Sequence, residues 1–108
     1  MSDILGFDTL AIHAGTAPDP ATGARQVPIY QTTAYVFRDA DHAAKLFNLQ
    51  EVGYIYSRLT NPTVSALANR VCALEGGAGA ICCPSGHAAQ SMALFPLMGP
   101  GPNIVATS

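Results

Sequence analysis

The chain has 108 residues and a formal net charge of −2, and 49% of its residues are hydrophobic while 11% are charged. This length fits one small domain, and the charged fraction is well below the roughly 25% that is usual in soluble domains. A single lysine and four scattered arginines leave no basic run for nucleic acid, and no segment approaches the roughly 20 apolar residues of a membrane span.

Two further features of the composition bear on class and location. Residues 1–6 lack the basic start and apolar run of a signal peptide, so we expect a cytoplasmic protein. The low charge and the strand-like run at 104–106, so near the last residue, predict a fragment of a larger α/β protein or a tight oligomer. The cysteines are odd in number and lie in apolar patterns, which predicts reduced core thiols rather than a disulfide framework or a zinc site: Cys72, Cys82 and Cys83.

The first forty residues are predicted to form an irregular arm, because glycine and proline recur there and only a short apolar patch at Leu10 and Ile12 interrupts them. Residues 31–37 are β-branched and aromatic, which favours an extended conformation. Asp39 then offers an N-cap for a helix over residues 40–48. The residues predicted to line the buried side of that helix are Ala43, Ala44 and Phe47.

A second helix is predicted over residues 62–75. Asn61 can cap its free N–H groups, and the fixed φ of Pro62 suits the first helical position. Gly76 and Gly77 supply a left-handed stop. Apolar residues recur at helical spacing and predict one buried face, formed by Val64, Leu67, Val71 and Leu74.

The uncharged run at residues 78–83 predicts a strand that is buried on both faces of a parallel sheet. Ser85 and Gly86 then open a helix of small residues that reaches about Leu97, before a further strand at Ile104. This is a βαβ unit, so the predicted fold class is α/β. Ligands of such sheets bind at the carboxyl ends of the strands, where the Ser-Gly turn lies.

The start of that third helix is a candidate phosphate site. The N–H groups of Gly86, His87 and Ala88, together with the positive end of the helix dipole, favour a dianion, and the Ser85 hydroxyl can donate a further hydrogen bond. The alternative is that Ser85 is an ordinary N-cap. Residues 54–63 combine two phenols and a guanidinium with a helix start, and such a set of groups also binds anions. Taken alone, the arginine is equally well explained as a solvated surface residue.

The histidines and the single lysine are not assigned catalytic roles. His13 is expected to be a hydrogen-bonded structural residue and His42 a solvated one. His87 is expected to contribute its backbone N–H. Lys45 lies on the first predicted helix with no motif around it.

Four ordered stretches of the sequence resemble the N-terminal part of the Cys/Met-metabolism family of pyridoxal-phosphate-dependent enzymes. They are Thr-Leu-Ala-Ile-His-Ala-Gly at 9–15, Pro-Ile-Tyr-Gln-Thr-Thr-Ala-Tyr-Val-Phe at 28–37, Tyr-Ile-Tyr-Ser-Arg-Leu-Thr-Asn-Pro-Thr at 54–63 and Ser-Gly-His-Ala-Ala-Gln at 85–90. The resemblance spans nearly the whole chain, and the last stretch is most similar to the sulfhydrylase members. Residues 82–84, Cys-Cys-Pro, depart from the small or hydroxyl residues more usual there.

The resemblance implies a type I, aspartate aminotransferase-like fold, with an extended arm followed by the start of a mainly parallel sheet with helices. Residues 1–60 would form an arm and short helix that reach a neighbouring subunit, and residues 61–108 would begin the large cofactor-binding domain. It also implies a homo-oligomer, a dimer of dimers. The implied residues that bind pyridoxal 5'-phosphate are Tyr56 and Arg58, from the neighbouring subunit, and Ser85, Gly86 and His87. Tyr54 is assigned to packing or to a substrate wall.

For the complete protein the resemblance implies γ-replacement on O-acetylhomoserine, a small amino-acid substrate, by sulfide or a thiol, in methionine biosynthesis. Cystathionine γ-synthase, cystathionine γ-lyase and methionine γ-lyase activities stay open within the family, and so does a non-catalytic phosphate-binding or oligomerising module. No catalytic residue is assigned, because the Schiff-base lysine, the acidic partner of the ring nitrogen and the stacking aromatic are not identifiable here. We therefore expect the isolated chain to be inactive.

Overall fold

The computed structural model describes residues 5–101 and 103–106, and in that part of the chain short helices alternate with irregular segments. The helices are α1 (Phe7–His13), α2 (Ala40–Phe47), α3 (Pro62–Glu75) and α4 (Gly86–Leu94), and a 3-10 turn at Phe95–Leu97 continues α4. None of these helices is long and apolar enough to cross a bilayer. The predicted helices at 40–48, 62–75 and 85–97 are confirmed within a few residues.

Side-chain caps explain where α2 and α3 begin. The Asp39 carboxylate accepts from the His42 N–H at 2.7 Å, and Asn61 Oδ1 accepts from the Thr63 N–H at 2.9 Å. Such caps satisfy N–H groups that have no partner inside the helix. At the other end of α3, Gly76 has the left-handed φ of 63° that was predicted.

Helix α1 lies in the stretch predicted to be irregular, so that prediction was wrong for Phe7–His13. A helix of seven residues is marginal by itself in water, and its sequence is too short to show a clear helical period. Helix α1 packs against α3. Tertiary contact, which the local sequence does not reveal, therefore explains this helix.

The predicted strands do not form in the described part of the chain, at residues 78–83 or at 103–106. Residues 31–37 retain only one antiparallel bridge, between Ala34 and Tyr56. A strand requires ladder hydrogen bonds to a neighbouring strand, and the described residues offer residues 78–83 no such neighbour. The βαβ unit and the parallel sheet of the α/β fold class are accordingly not formed here.

The side chains before the Ser-Gly turn nevertheless reach two different helices. Cys82 Sγ lies 4.0 Å from the Val64 carbonyl on α3, whereas Cys83 Sγ lies 3.4 Å from Met92 Sδ on α4. Such alternation is typical of an extended segment between two layers. All three cysteines are free, but Cys82 is exposed, so the prediction of core thiols was wrong for it, because its contact with α3 covers only part of the side chain.

The buried helix faces also differ from those predicted. On α2 the buried residue is Leu46, which is 3% exposed, while Phe47 is 64% exposed. Leu46 packs on Gly53, where an added Cβ would lie 2.8 Å from Leu46 Cδ2. On α3 the predicted face at Val64 and Leu67 is exposed, because the arm packs on a different side of that helix.

The arm crosses α3 at close range through residues 14–16. Gly15 has a φ of +74°, and a Cβ there would lie 2.6 Å from the Arg70 backbone nitrogen. The Arg70 side chain holds the same residues, since its Nε donates to the Ala14 carbonyl at 3.0 Å and its Nη2 to Thr16 Oγ1 at 3.4 Å. Only glycine permits this crossing.

The surface of the chain is large and apolar. Its accessible area is 8911 Å², whereas a compact monomer of 11.2 kDa exposes about 5,700 Å². An apolar groove of about 350 Å³ opens beside Leu46 and is lined by Leu49, Val52 and Leu59, among others. Exposed apolar patches of this kind mark surfaces that other protein covers.

We predict that Gly15→Ala lowers the free energy of unfolding by more than the roughly 1–2 kcal/mol cost of a left-handed alanine, because the new methyl group also meets the α3 backbone. Gly23→Ala is the matched control, since Gly23 has a φ of +72° and open space around it. Urea unfolding, with amide exchange of α1 as a local probe, measures both variants. If both variants lost the same free energy of unfolding, the close approach of Gly15 to α3 would contribute nothing to the cost of the substitution.

Candidate phosphate-binding site

Helix α4 begins with Ser85 as its N-cap. Ser85 Oγ accepts from the Ala88 N–H at 3.2 Å, and the Ser85 carbonyl accepts from the Ala89 N–H at 3.1 Å. This corrects one predicted donor, because the Ala88 N–H is already bonded to the capping hydroxyl. In the described structure the N–H groups of Gly86 and His87 have no hydrogen-bond partner, as the first N–H groups of a helix should.

The capping and phosphate-binding roles of Ser85 are compatible. Its oxygen accepts from the Ala88 N–H, while its own proton remains able to donate. A Cβ built at Gly86 would meet no atom within 4 Å, so the approach to the helix start is open. The donors are therefore two backbone N–H groups, one hydroxyl and the positive end of a nine-residue helix, a set that fits a phosphate dianion.

Tyr56 and Arg58 form a contacting pair on the Tyr-Ser-Arg turn. Arg58 Cζ lies 5.3 Å from the centroid of the Tyr56 ring, and Arg58 Nη2 donates to the phenol oxygen at 3.4 Å. Arg58 is exposed, so an anion can reach the guanidinium. A guanidinium beside a phenol offers several hydrogen-bond donors and a positive charge.

Backbone hydrogen bonds hold this turn. The Tyr56 carbonyl accepts from the Leu59 N–H at 2.9 Å, and the Ser57 N–H donates to the Thr33 carbonyl at 2.9 Å. The turn is thus closed on itself and joined to the extended segment at 31–37. Its two ends are fixed before any ligand binds.

Asn61 is the one buried polar residue in the described structure, at 8% exposure. Besides capping α3, its Nδ2 donates to the Tyr30 carbonyl at 2.9 Å and to Ser57 Oγ at 3.0 Å. The sequence predicted the cap alone. It could not identify a carbonyl 31 residues earlier as a partner, because no local pattern encodes that contact.

Thr63 completes the attachment of the arm to α3. Its Oγ1 donates to the Pro28 carbonyl at 2.9 Å and accepts from the Tyr30 N–H at 3.0 Å. No sequence pattern predicted a role for this hydroxyl. Together with Asn61, it ties residues 28–30 to the start of α3.

Arg58 shares a cavity with the segment that leads into α4. A cavity of about 300 Å³ is lined by Arg58 and by residues 82–84, which lead into the Ser-Gly turn. Tyr56, Ser85, Gly86 and His87 are not among its lining residues. This cavity therefore brings Arg58, but not Tyr56 or the start of α4, next to residues 82–84.

Tyr54, assigned to packing or to a substrate wall, does pack. Its ring centroid lies 5.3 Å from that of Tyr35. Tyr54 also lines two cavities of about 230 and 330 Å³ beside the arm and α3. Its packing role is observed, and the substrate role stays a prediction.

The histidines lie in three different environments. His13 Nδ1 contacts Arg25 Nη2, which confirms a hydrogen-bonded residue. His42 was predicted to be solvated, and this was wrong: its Nδ1 accepts from the Arg38 N–H at 3.1 Å, and its Nε2 lies 3.6 Å from Glu51 Oε1. The loop after α2 folds back over this ring and shields it. His87 is exposed at the start of α4.

Comparison with known proteins decides the family. Residues 8–108 match the family described as Cys/Met metabolism PLP-dependent enzyme. The chain belongs to this family. The resemblance stated from the four motifs is confirmed, and with it the pyridoxal-phosphate dependence of the family as a whole.

Individual relatives show how much of such an enzyme the chain represents. It is 58% identical over 102 residues to homocysteine synthase of Schizosaccharomyces pombe and 57% identical over 101 residues to O-acetyl-L-homoserine sulfhydrylase 1 of Thermus thermophilus. Each match covers 94% of this chain and 24% of the relative. The chain thus spans about a quarter of the length of these relatives.

A solved structure confirms the fold of the aligned part. It is that of an O-acetylhomoserine (thiol)-lyase from Campylobacter jejuni, which carries N'-pyridoxyl-lysine-5'-monophosphate. The superposition has a TM-score of 0.80 at 48% identity and covers 84% of this chain and 22% of that one. The chain therefore shares the backbone of this enzyme over most of its length.

Two Ser85 variants separate capping from phosphate binding. Ser85→Ala should destabilise α4 by about 1 kcal/mol and weaken pyridoxal-phosphate binding. Ser85→Asp should keep the cap, because aspartate is a good N-cap, but should weaken binding more strongly because its charge repels the dianion. Urea unfolding of the apoprotein and cofactor titration of the complete protein measure the two effects. An aspartate variant with unchanged cofactor affinity would place the phosphate elsewhere.

Proposed function

We propose that the complete protein is a pyridoxal-phosphate-dependent sulfhydrylase. It would replace the acetate group of O-acetylhomoserine with sulfide or a thiol and give homocysteine or a methionine-type product. The observation that carries this proposal is the 57–58% identity, over 94% of this chain, with a homocysteine synthase and an O-acetylhomoserine sulfhydrylase. As the chain spans about a quarter of those relatives, the activity is proposed for the whole protein.

In this proposal the chain supplies the phosphate donors of the cofactor site. The Ser85 hydroxyl and the N–H groups of Gly86 and His87 hold the phosphate in their own subunit, and Tyr56 and Arg58 hold it from the neighbouring subunit. Bound pyridoxal phosphate supplies the electron sink for the reaction. The residues of this chain bind and orient that cofactor.

The arrangement across subunits is supported by two observations. The cavity that Arg58 lines includes neither Tyr56 nor the start of α4, and the accessible area exceeds that of a compact monomer by roughly 3,000 Å², so the rest of the protein or a neighbouring subunit must cover part of this surface. We infer a homo-oligomer, a dimer of dimers, in which residues 1–60 contact the neighbouring subunit and residues 61–108 begin the cofactor-binding domain. In the complete protein, residues 78–83 would join a parallel sheet of the type I fold.

The purified complete protein should convert O-acetylhomoserine and sulfide to homocysteine much faster than it cleaves cystathionine or methionine. Quantifying homocysteine and 2-oxobutyrate with each substrate measures the preference. Omitting sulfide is the control, because replacement requires the nucleophile whereas elimination does not. Faster release of 2-oxobutyrate from cystathionine would favour a γ-lyase instead.

Arg58→Ala in the complete protein should weaken cofactor binding roughly 10- to 100-fold, the effect of losing charge-assisted hydrogen bonds worth about 1.5–3 kcal/mol. Arg38→Ala is the control, because Arg38 is an exposed arginine that pairs with Glu51. Equilibrium titration with pyridoxal phosphate measures both variants.

Mixing subunits tests whether Arg58 acts on a neighbouring site. The Arg58→Ala protein should regain activity when it forms mixed oligomers with a variant that lacks the cofactor-binding lysine, because some sites then combine an intact lysine with an intact arginine. No recovery in verified mixed oligomers would place Arg58 in the site of its own subunit.

A further inference from the structure

The Ser57 hydroxyl, between the two proposed phosphate donors, uses all of its hydrogen-bonding capacity. It donates its one proton to the Thr32 carbonyl, which cannot donate in return. Its oxygen accepts from Asn61 Nδ2 at 3.0 Å. The remaining contact, at 3.3 Å to the Tyr35 hydroxyl, must therefore have Tyr35 as its donor.

These bonds join three segments of the chain at one atom. Thr32 and Tyr35 belong to the extended segment, Ser57 to the turn and Asn61 to the start of α3. Rotation of the Ser57 side chain would break all three bonds and would leave the buried Asn61 amide with an unpaired N–H. An unpaired buried donor is unfavourable, so the turn is held in one conformation.

The same turn carries Tyr56 and Arg58 on either side of Ser57. Their geometry, with the guanidinium 5.3 Å from the ring centroid, depends on the backbone that Ser57 fixes. Ser57 has no donor left for an anion, since its only proton is bonded to Thr32. Any influence of Ser57 on phosphate binding must accordingly pass through its two neighbours.

We propose that Ser57 and Asn61 are positioning residues, which hold Tyr56 and Arg58 in the geometry that binds the cofactor phosphate. This inference rests on the proposed function. It gives the Ser and Asn of the Tyr-Ser-Arg-Leu-Thr-Asn-Pro-Thr segment a role that the sequence pattern alone does not predict. Their contribution is preorganisation of the site rather than contact with the ligand.

A double-mutant cycle on cofactor affinity tests this proposal in the complete protein. Ser57→Ala alone should weaken pyridoxal-phosphate binding about tenfold, as loss of supporting hydrogen bonds does at other sites. In an Arg58→Ala, Tyr56→Phe background the same change should have little further effect, because the groups it positions are gone. Ser57→Thr keeps the hydroxyl and should restore most of the affinity.

Asn61→Asp provides a second, independent variant. Aspartate still caps the Thr63 N–H but cannot donate a hydrogen bond to Tyr30 or to Ser57. The variant should therefore bind the cofactor more weakly, as the Ser57→Ala variant does. Asn69→Asp is the matched control, since Asn69 is exposed on the same helix, and it should bind the cofactor normally. If Ser57→Ala fails to fold, Tyr35→Phe removes one bond to Ser57 and should give a smaller loss.

The outcomes separate the two proposals. If Ser57→Ala lowers cofactor affinity by the same factor with and without the Arg58→Ala and Tyr56→Phe changes, the positioning role is overturned. The phosphate role of Arg58 then stays intact. Wild-type affinity in the Arg58→Ala protein would overturn the phosphate role proposed for Arg58, and the positioning role with it. Strong coupling, together with rescue by Ser57→Thr, supports both, because a merely structural hydroxyl would affect unfolding without this dependence on Arg58.

Discussion

The described structure depends most on the hydrogen bonds of the buried Asn61 amide. An amide removed from water without partners costs about 1–3 kcal/mol, so the three groups that satisfy it must all be in place. Those groups are the Tyr30 carbonyl, the Ser57 hydroxyl and the Thr63 N–H. One side chain thereby brings together the arm, the Tyr-Ser-Arg turn and the start of α3, in a chain with little apolar core.

The hydrogen bonds of Asn61 attach part of the N-terminal arm to α3 of the same chain. A second anchor lies two turns further along α3, where Arg70 and the close crossing of Gly15 hold residues 14–16. With both anchors in place, residues 14–16 and 28–30 are held against the α3 of their own chain. In the proposed oligomer, contact with a neighbouring subunit would then be made by the exposed side of these docked residues, rather than by a detached arm that extends away from α3.

How much could be predicted from the sequence depended on the range of the interaction. The starts of α2, α3 and α4 were predictable, because an N-cap involves residues two or three positions apart. The left-handed stop at Gly76 is equally local. Helix α1, the Leu46–Gly53 contact and both donor bonds of Asn61 were missed, because each depends on residues distant in sequence. Strands were predicted at 78–83 from hydrophobicity alone, but strand formation requires a partner that the described residues do not include.

The candidate site shows the same division. Ser85, Gly86, Tyr56 and Arg58 were predicted from motifs and stay predictions, whereas the Ser57 hydroxyl, whose hydrogen bonds hold the turn, was not predicted. The contact between Arg58 and Tyr56 can be compared in energy with the proposed contact between Arg58 and a phosphate. An exposed cation over an aromatic ring is worth about 0.5–1 kcal/mol, while hydrogen bonds from a guanidinium to an anion are worth about 1.5–3 kcal/mol. Hydrogen bonds to a phosphate would therefore contribute more than the ring contact does, and in the proposed site the turn would not need to rearrange, because hydrogen bonds of Ser57 and Asn61 already hold it.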